Sequence, residues 1–414
     1  MVAAQPRRDR RWLAVVLAAQ ALYTAGDAIA GGRVLSYYLD RLGASIQGVT
    51  LLLVLPEIVA IGGVLSQSLV RRRRDPKRVW IAGAIVARLA GWSLAGLALF
   101  GRLPAVVPYV LIGILELAQA ISYGALIAWL VQLFPETCWG RVLARRQVAV
   151  SLMLAAAPLI GGAAILSRFG DDPTPGEYAA VLAIGHAITA AGLGMYWLLP
   201  RATVAASQPM RSLPGLVRRL VGDRAIRRTI AASLHLAVAN GLTQSAFFFY
   251  AKDHLGVTLS QAMGLRGLMF ATQVPVAIVA GGRLDRSSNR RLYAGSIVAA
   301  AALVPCWLLA DDWRGLVPVY AGWGLFAAVN LSGRSLMLRL CGSGDAAGAA
   351  TVFRMTAGLL AGLAGLVGGA ILSRYSLGGV PLAIACQTLI AVSIAGRLTA
   401  PVWLLGWDDP RERP

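Results

Sequence analysis

Tyr37-x-x-Asp40-Arg41-Leu42-Gly43-x-Ser45 returns later in the chain as Tyr250-x-x-Asp253-His254-Leu255-Gly256-x-Thr258. Three further stretches return in the same order. Pro56 followed by Gly62-Gly63-x-Leu65 recurs as Pro275 followed by Gly281-Gly282-x-Leu284, and Ala82-Gly83-x-Ile85-Val86-Ala87 as Ala294-Gly295-x-Ile297-Val298-Ala299. Gly161-Gly162-Ala163-Ala164-Ile165-Leu166-Ser167-Arg168-Phe169 recurs, one residue shorter, as Gly368-Gly369-Ala370-Ile371-Leu372-Ser373-Arg374-Tyr375. The offsets of 213, 219, 212 and 207 residues all lie near half of the 414-residue chain. One match is chance in a chain rich in Ala, Gly and Leu; four in order imply a duplicated half. A unit of this length is far too long for a solenoid repeat and has the size of a multi-helix membrane half.

Composition points the same way. The chain is 57% hydrophobic, 14% charged, and has a mean hydropathy of +0.66. Soluble domains average about 25% charged residues. Twelve apolar runs, at about 12–36, 46–70, 79–100, 106–133, 147–167, 178–199, 228–250, 259–282, 292–310, 316–338, 351–373 and 380–406, each approach the ~20 residues that cross a bilayer core. Lipid offers the backbone no hydrogen-bond partner, so the runs are expected to be helices. The expected fold class is an all-α integral membrane protein with twelve transmembrane helices.

The formal net charge is +20, nearly all of it arginine. Walked along twelve spans, Arg7, Arg8, Arg10, Arg11, the Arg71–Arg74 run, Arg141, Arg145, Arg146, the central-loop arginines and Arg283 to Arg291 fall on one side. Asp40, Asp171, Asp172, Glu177, Asp253, Asp311 and Asp312 fall on the other. Basic loops stay inside, which places both termini in the cytoplasm and the protein in the inner (cytoplasmic) membrane. The charge is thereby spoken for, and no basic patch remains for nucleic acid. Cys138, Cys306, Cys341 and Cys386 show no paired spacing and read as small apolar fillers, with no metal site, disulfide or cofactor expected. The basic start followed by an apolar run is too long for a signal peptide and is interrupted by Asp27, so it reads as a retained first helix.

Three regions follow: a six-helix bundle over 1–200, a cytoplasmic linker over 201–227, and a second six-helix bundle over 228–414. Six spans restore the starting orientation, so the repeats are parallel. Within the linker, Leu213, Leu216, Val217, Leu220 and Val221 fall at helical spacing opposite Arg218 and Arg219, the pattern of an interfacial amphipathic helix. Trp12, Trp80, Trp139, Trp197, Trp313 and Trp407 sit near span ends, as an aromatic belt does.

Twelve spans, a 6+6 parallel repeat and a basic central loop resemble the major facilitator superfamily over the whole chain. The sharpest local likeness is Gly281-Gly282-Arg283-Leu284-Asp285-Arg286-Ser287-Ser288-Asn289-Arg290-Arg291, which is similar to that family's G-x-x-x-D-R-x-G-x-R-R loop, with Ser288 where the pattern has Gly. Read physically, Gly281 permits close helix approach and Asp285 suits a helix N-terminus. Arg286, Arg290 and Arg291 can bridge to acids such as Asp345 and Glu136, forming a conformational latch. The first half lacks this pattern: Ser66 and Gln67 stand where Asp285 and Arg286 do. Ala157-Pro158-Leu159-Ile160-Gly161-Gly162 is similar to the G-P-x-x-G-G stretch of the family's exporters. Pro158 removes a backbone donor and Gly161 and Gly162 allow tight packing, so this is expected to be a packing kink.

Charged and polar groups inside spans are costly and are candidate functional residues. The first span carries Gln20, Tyr23, Thr24 and Asp27 on one stripe, and the fourth carries Glu116, Gln119 and Tyr123. The seventh carries Asn240, Thr243 and Gln244, and the tenth Asn330 and Arg334 below Trp323. The resemblance implies that spans one, four, seven and ten line a central cavity. Glu57 follows Pro56, where the helix is already interrupted, and Arg266 lies in the eighth span. Asp27 and Glu116 are the first candidates for proton or substrate sites, Glu57 the third; Arg266 and Arg334 suit an anionic group. Arg88, on an outer helix of the resembled family, carries no expected role. Phe247, Phe248, Phe249 and Tyr250, with Trp323 and Phe326, are expected to wall the cavity. No zinc-protease, nucleophile-elbow or Walker motif is present, so the chain does not read as an enzyme or an ATP-driven pump.

The leading reading is a monomeric secondary transporter working by alternating access, exporting a small, partly apolar molecule with proton coupling. Uptake of a polar or anionic metabolite and a non-transporting membrane sensor or scaffold remain open.

Overall fold

The structure is a computed structural model and describes residues 5–99, 106–134, 139–170, 173–201, 213–284, 288–341 and 346–406. Among these residues there is no strand. In chain order the helices are α1 (Gln5–Ala30), α2 (Gly32–Arg41), α3 (Ile46–Ile58), α4 (Gly62–Arg73), α5 (Pro76–Leu99), α6 (Val106–Leu133), α7 (Trp139–Phe169), α8 (Pro175–Trp197) and α9 (Leu213–Gly222). They continue as α10 (Arg224–Leu242), α11 (Gln244–Phe249), α12 (Leu259–Leu284), α13 (Asn289–Ala301), α14 (Leu316–Gly322), α15 (Phe326–Cys341), α16 (Ala346–Leu377) and α17 (Leu382–Thr399).

Among the described residues, ten segments are long and apolar enough to cross a membrane. The expected seventh and ninth spans are not among them, and each is built from broken helix. α10 stops at Leu242, and Thr243, off helical geometry with φ −103° and ψ 1°, separates it from the six-residue α11. α13 stops at Ala301, ahead of a short 3-10 turn that carries Pro305. Proline lacks the N–H that a continuing helix needs.

Packing groups the chain into two compact units. One comprises Met1–Gly43, Ile61–Ala206 and Ala262–Gly267; the other comprises Ala44–Ala60, Ser207–Gln261 and Leu268–Pro414. In the first unit α1 packs on α7 and α8, and α5 on α6 and α8. Its aromatic core joins Trp80, Trp129, Tyr196 and Tyr23, with the Trp80 and Tyr196 rings 4.5 Å apart, edge to face. In the second unit α10 packs on α16 and α17, and α3 lies along α16. Small residues decide that last contact. A Cβ on Gly369 would meet Thr50 Oγ1 at 2.3 Å, on Gly365 Val54 Cγ1 at 2.3 Å, and on Gly362 Ile58 Cγ1 at 2.6 Å. With no hydrophobic force between helices in lipid, backbone proximity of this kind carries the association.

Helix ends are capped as their residues predict. Ser45 accepts from Gly48 N at 3.2 Å, Asp223 from Ala225 N at 2.9 Å, and Thr174 and Glu177 close a capping box. The repeated Leu-Gly pairs mark equivalent turns: Gly43 has φ +78° and Gly256 φ +63°, a left-handed backbone that glycine alone adopts freely. In α9, Leu220 is buried against Ala225 and Ile226, whereas Val217 and Val221 are exposed.

Candidate functional site

The first unit carries a buried polar network centred on Asp27, in the last turn of α1. Asp27 Oδ1 accepts from Arg88 Nη1 and Nη2, each at 3.2 Å, and from Gln119 Nε2 at 2.8 Å. The Arg88 side chain is 5% exposed and the Asp27 side chain 38%. The cation is sealed inside the unit while the carboxylate keeps an accessible face. An isolated arginine at the centre of a span costs about 2.5–3.5 kcal/mol on insertion scales, so Asp27 and its neighbours are what make Arg88 tolerable.

Arg88 has a second partner. Its Nη1 lies 3.1 Å from His186 Nδ1. Arginine offers no acceptor, so His186 Nδ1 accepts and the ring proton sits on Nε2. Gly91, one turn from Arg88 on α5, makes room for the imidazole: a Cβ there would meet His186 Cε1 and Nε2 at 2.3 Å. The Tyr23 ring lies 5.4 Å from the Arg88 guanidinium. Arg88 therefore has a role that its sequence position did not suggest, and His186 was passed over. The available signal was that an arginine deep in an apolar run needs a carboxylate, and Asp27 was waiting in the first span.

The stripe continues along α1. Gln20 Nε2 donates to Thr24 Oγ1 at 2.9 Å, while Gln20 Oε1 accepts from Arg146 Nε at 3.0 Å and from Tyr196 OH at 2.9 Å. Arg146, expected among loop charges, is 5% exposed, and its guanidinium lies 5.5 Å from the ring centroid of the exposed Tyr123. Glu116 lies on α6 of the same unit and acts electrostatically on Tyr23. Tyr23, Asp27, Gln119 and Arg88 are thus brought together, with Glu116 and Tyr123 beside them. Arg266 is half-buried on α12.

The second unit presents different chemistry. Asn240 and Gln244 flank the break between α10 and α11, and among the described residues Asn240 Oδ1 and Gln244 Oε1 are buried without a hydrogen-bond donor. Arg397 on α17, only 3% exposed, donates from Nη2 to Thr243 Oγ1 at 3.1 Å and lies 5.5 Å from the Phe247 ring. Sequence reasoning passed over it because it sits in a span's last turn, where basic residues are ordinary. Asn330 and Arg334 are exposed on α15. Glu57, on α3, backs onto Gly358 of α16, where a Cβ would meet Glu57 O at 2.9 Å, and Arg354 acts on its carboxylate. The expectation that the aromatic group walls a cavity is corrected. Phe247, Phe248, Phe249, Tyr250 and Trp323 are buried, and Phe247, Trp307 and Trp323 stack on one another at 4.5–5.7 Å. Large rings gain more by burying each other than by facing an opening.

Of the expected latch, Asp285 and Arg286 lie outside the described residues, as do Asp345 and Glu136. A Cβ on Gly281 would meet no neighbour within 4 Å. Arg290 Nη1 donates to Leu404 O at 3.4 Å, and Ser288 Oγ accepts from Arg291 N at 3.3 Å, capping α13. The serine in place of the pattern's glycine is therefore an N-cap. Pro158 and Gly162 lie within α7, which runs on as one helix. A Cβ on Gly161 would meet Met263 Cε at 3.2 Å. No group of metal-ligating side chains occurs among the described residues.

No family model matches this chain, and no curated protein matches it by sequence. Its architecture does match solved structures. A point mutant of the nucleoside transporter NupG aligns with a TM-score of 0.75 at 15% identity, covering 95% of this chain and 98% of that one. The chain has the major facilitator superfamily fold. An auto-inhibited POT family peptide transporter (TM-score 0.74, 12% identity, 96% and 98% covered) shares it. So does a bacterial homologue of the iron transporter ferroportin in its inward-facing state (TM-score 0.69, 14% identity, 95% and 98% covered). With ten apolar segments among its described residues, the chain is a multi-pass membrane protein.

Proposed function

We propose that the protein is a secondary transporter that moves a small, partly apolar molecule out across the cytoplasmic membrane by alternating access, coupled to protons. Twelve spans, both termini in the cytoplasm and a single-chain working unit belong to the same proposal. The neighbours named above, all transporters, support the transport reading. The observation that carries the coupling is the asymmetry of one ion pair. Asp27 is accessible, so a proton can reach it, while Arg88 is sealed and keeps His186 as an alternative partner. Protonating Asp27 removes the negative charge that holds Arg88 and changes the balance of the whole stripe. Outward direction rests on the Pro158 and Gly161-Gly162 stretch alone. The latch formed by Asp285, Arg286, Arg290 and Arg291 remains part of the proposal.

The test begins with a deletion strain and an overproducing strain compared across toxic compounds and carbon sources. The compound so found is then followed in proteoliposomes under an imposed proton gradient. Asp27→Asn is expected to cut gradient-driven flux at least about ten-fold, the size expected when a proton-transferring group is lost. Undiminished coupling in that variant removes the assignment.

A further inference from the structure

Arg146 differs from the other buried arginine of its unit in one respect. Arg88 is neutralised by Asp27, but among the described residues no carboxylate pairs with Arg146. Its Nε is committed to Gln20 Oε1, and the face of its guanidinium is set by Tyr123. Gln20 is itself fixed by Tyr196 OH and by Thr24. Beyond Gln20 the guanidinium's polar neighbour is the Tyr196 side chain, and among the described residues no carboxylate meets Nη1 or Nη2. Lys77, the other buried cation of this unit's core, is different again: its ammonium is satisfied by the carbonyls of Trp197 and Leu199.

A guanidinium held at Nε with no carboxylate on its terminal nitrogens is shaped for two parallel hydrogen bonds to a planar anion. Holding it there without a counter-ion is costly, and the cost falls when an anion arrives. The group also lies beside Gln20 and Thr24, on the α1 stripe that ends at Asp27. We propose that Arg146 is the anchor for the carboxylate of a monoanionic organic substrate, with Gln20, Tyr196 and Tyr123 as its positioning residues. This rests on the transport reading and names the substrate class for it. One uncompensated positive charge matches one negative charge. A phosphate monoester, with nearly two, would bring a second charge with no cation set out to meet it.

The experiment is equilibrium binding, read as a rise in melting temperature of the purified full-length protein in detergent. The probes are acetate, butyrate, hexanoate and benzoate, each beside its primary amide, with phenyl phosphate as a further arm. At least one carboxylate is expected to stabilise the protein while its amide does not. Arg146→Gln is expected to weaken that binding about ten-fold or more, and Arg146→Lys less, because lysine keeps the charge and loses the fork. Gln20→Glu brings a carboxylate of the protein's own against the Arg146 guanidinium. It is expected to raise the melting temperature without ligand and to abolish the ligand-induced rise, which keeps the test alive if Arg146→Gln does not fold. Binding by none of the carboxylates, equal stabilisation by an amide, binding of phenyl phosphate alone, or an unchanged affinity in Arg146→Gln would each overturn the proposal. The measurement uses no gradient, so it fails or succeeds independently of the Asp27→Asn flux result.

Discussion

Asp27 and Asn240 occupy the same register in the two repeats. The offset of 213 that carries Tyr37 onto Tyr250 carries Asp27 onto Asn240, and it carries Gly31, where the first span breaks, onto Gln244, the residue after the break at Thr243. The offset of 212 that carries Gly83 onto Gly295 carries Arg88 onto Ala300. The two halves thus share helix breaks, left-handed glycine turns and small-residue packing, yet the ion pair of the first half is an amide and a methyl group in the second. The repeated stretches share backbone features, and the buried charge is not among them. The backbone's needs are the same in both copies, since lipid imposes them everywhere. An intramembrane carboxylate is tolerated only where a partner exists, so one half can hold it while the other does not.

The largest effect that would break this comparison comes from moving the acid. The double swap Asp27→Asn with Asn240→Asp is expected to leave proton-driven flux at the low level of Asp27→Asn alone, because the repeat position of Arg88 is Ala300 and Arg397 is already bonded to Thr243. Recovery of flux in the proteoliposome assay would show that either half can carry the coupling.

A smaller effect separates the repeated glycines. A Cβ on Gly83 would meet Ser122 Oγ at 2.3 Å and Ala118 O at 3.1 Å, whereas one on Gly295 would meet nothing within 4 Å. Gly83→Ala is expected to destabilise by about 1–3 kcal/mol through overpacking. Gly295→Ala is expected to be neutral or to stabilise by up to about 1 kcal/mol through helix propensity. Thermal melting of the two variants side by side checks the sign. Equal responses would mean that the repeat glycines serve one purpose in both halves.

The smallest effect concerns the loop that only the second half possesses. Ser288→Gly restores the resembled pattern and is expected to cost a few tenths of a kcal/mol, while Ser288→Ala costs about 1 kcal/mol through loss of the cap on α13. A melting series of wild type, Gly and Ala variants orders the three. If Ala proves as stable as serine, the cap contributes nothing.

Much of the fold was legible in particular residues. The paired Tyr-x-x-Asp and Leu-Gly stretches announced the doubling, and Gly43 and Gly256 do take up matching left-handed turns. The polar stripe Gln20, Tyr23, Thr24, Asp27 was visible because helical periodicity puts such residues on one face, and α1 shows them bonded to α5, α6, α7 and α8. Partnership was not legible. Arg88, His186 and Gln119 are separated from Asp27 by 61 to 159 residues, and no local pattern says which helix face meets which. The aromatic run at 247–250 shows the same limit from the other side: its residues were plain, but only Trp307 and Trp323 packing onto Phe247 decided that they form a core.

By itself, then, the chain determined its solvent and its helices, because hydrophobic length and helical period are written in consecutive residues. The tertiary structure alone decided that Asp27 holds Arg88, that Gly91 admits His186, and that Arg146 meets an amide instead of an acid. Those outcomes depend on distances between helices far apart in the chain, and electrostatic energies inside a low-dielectric interior turn on those distances.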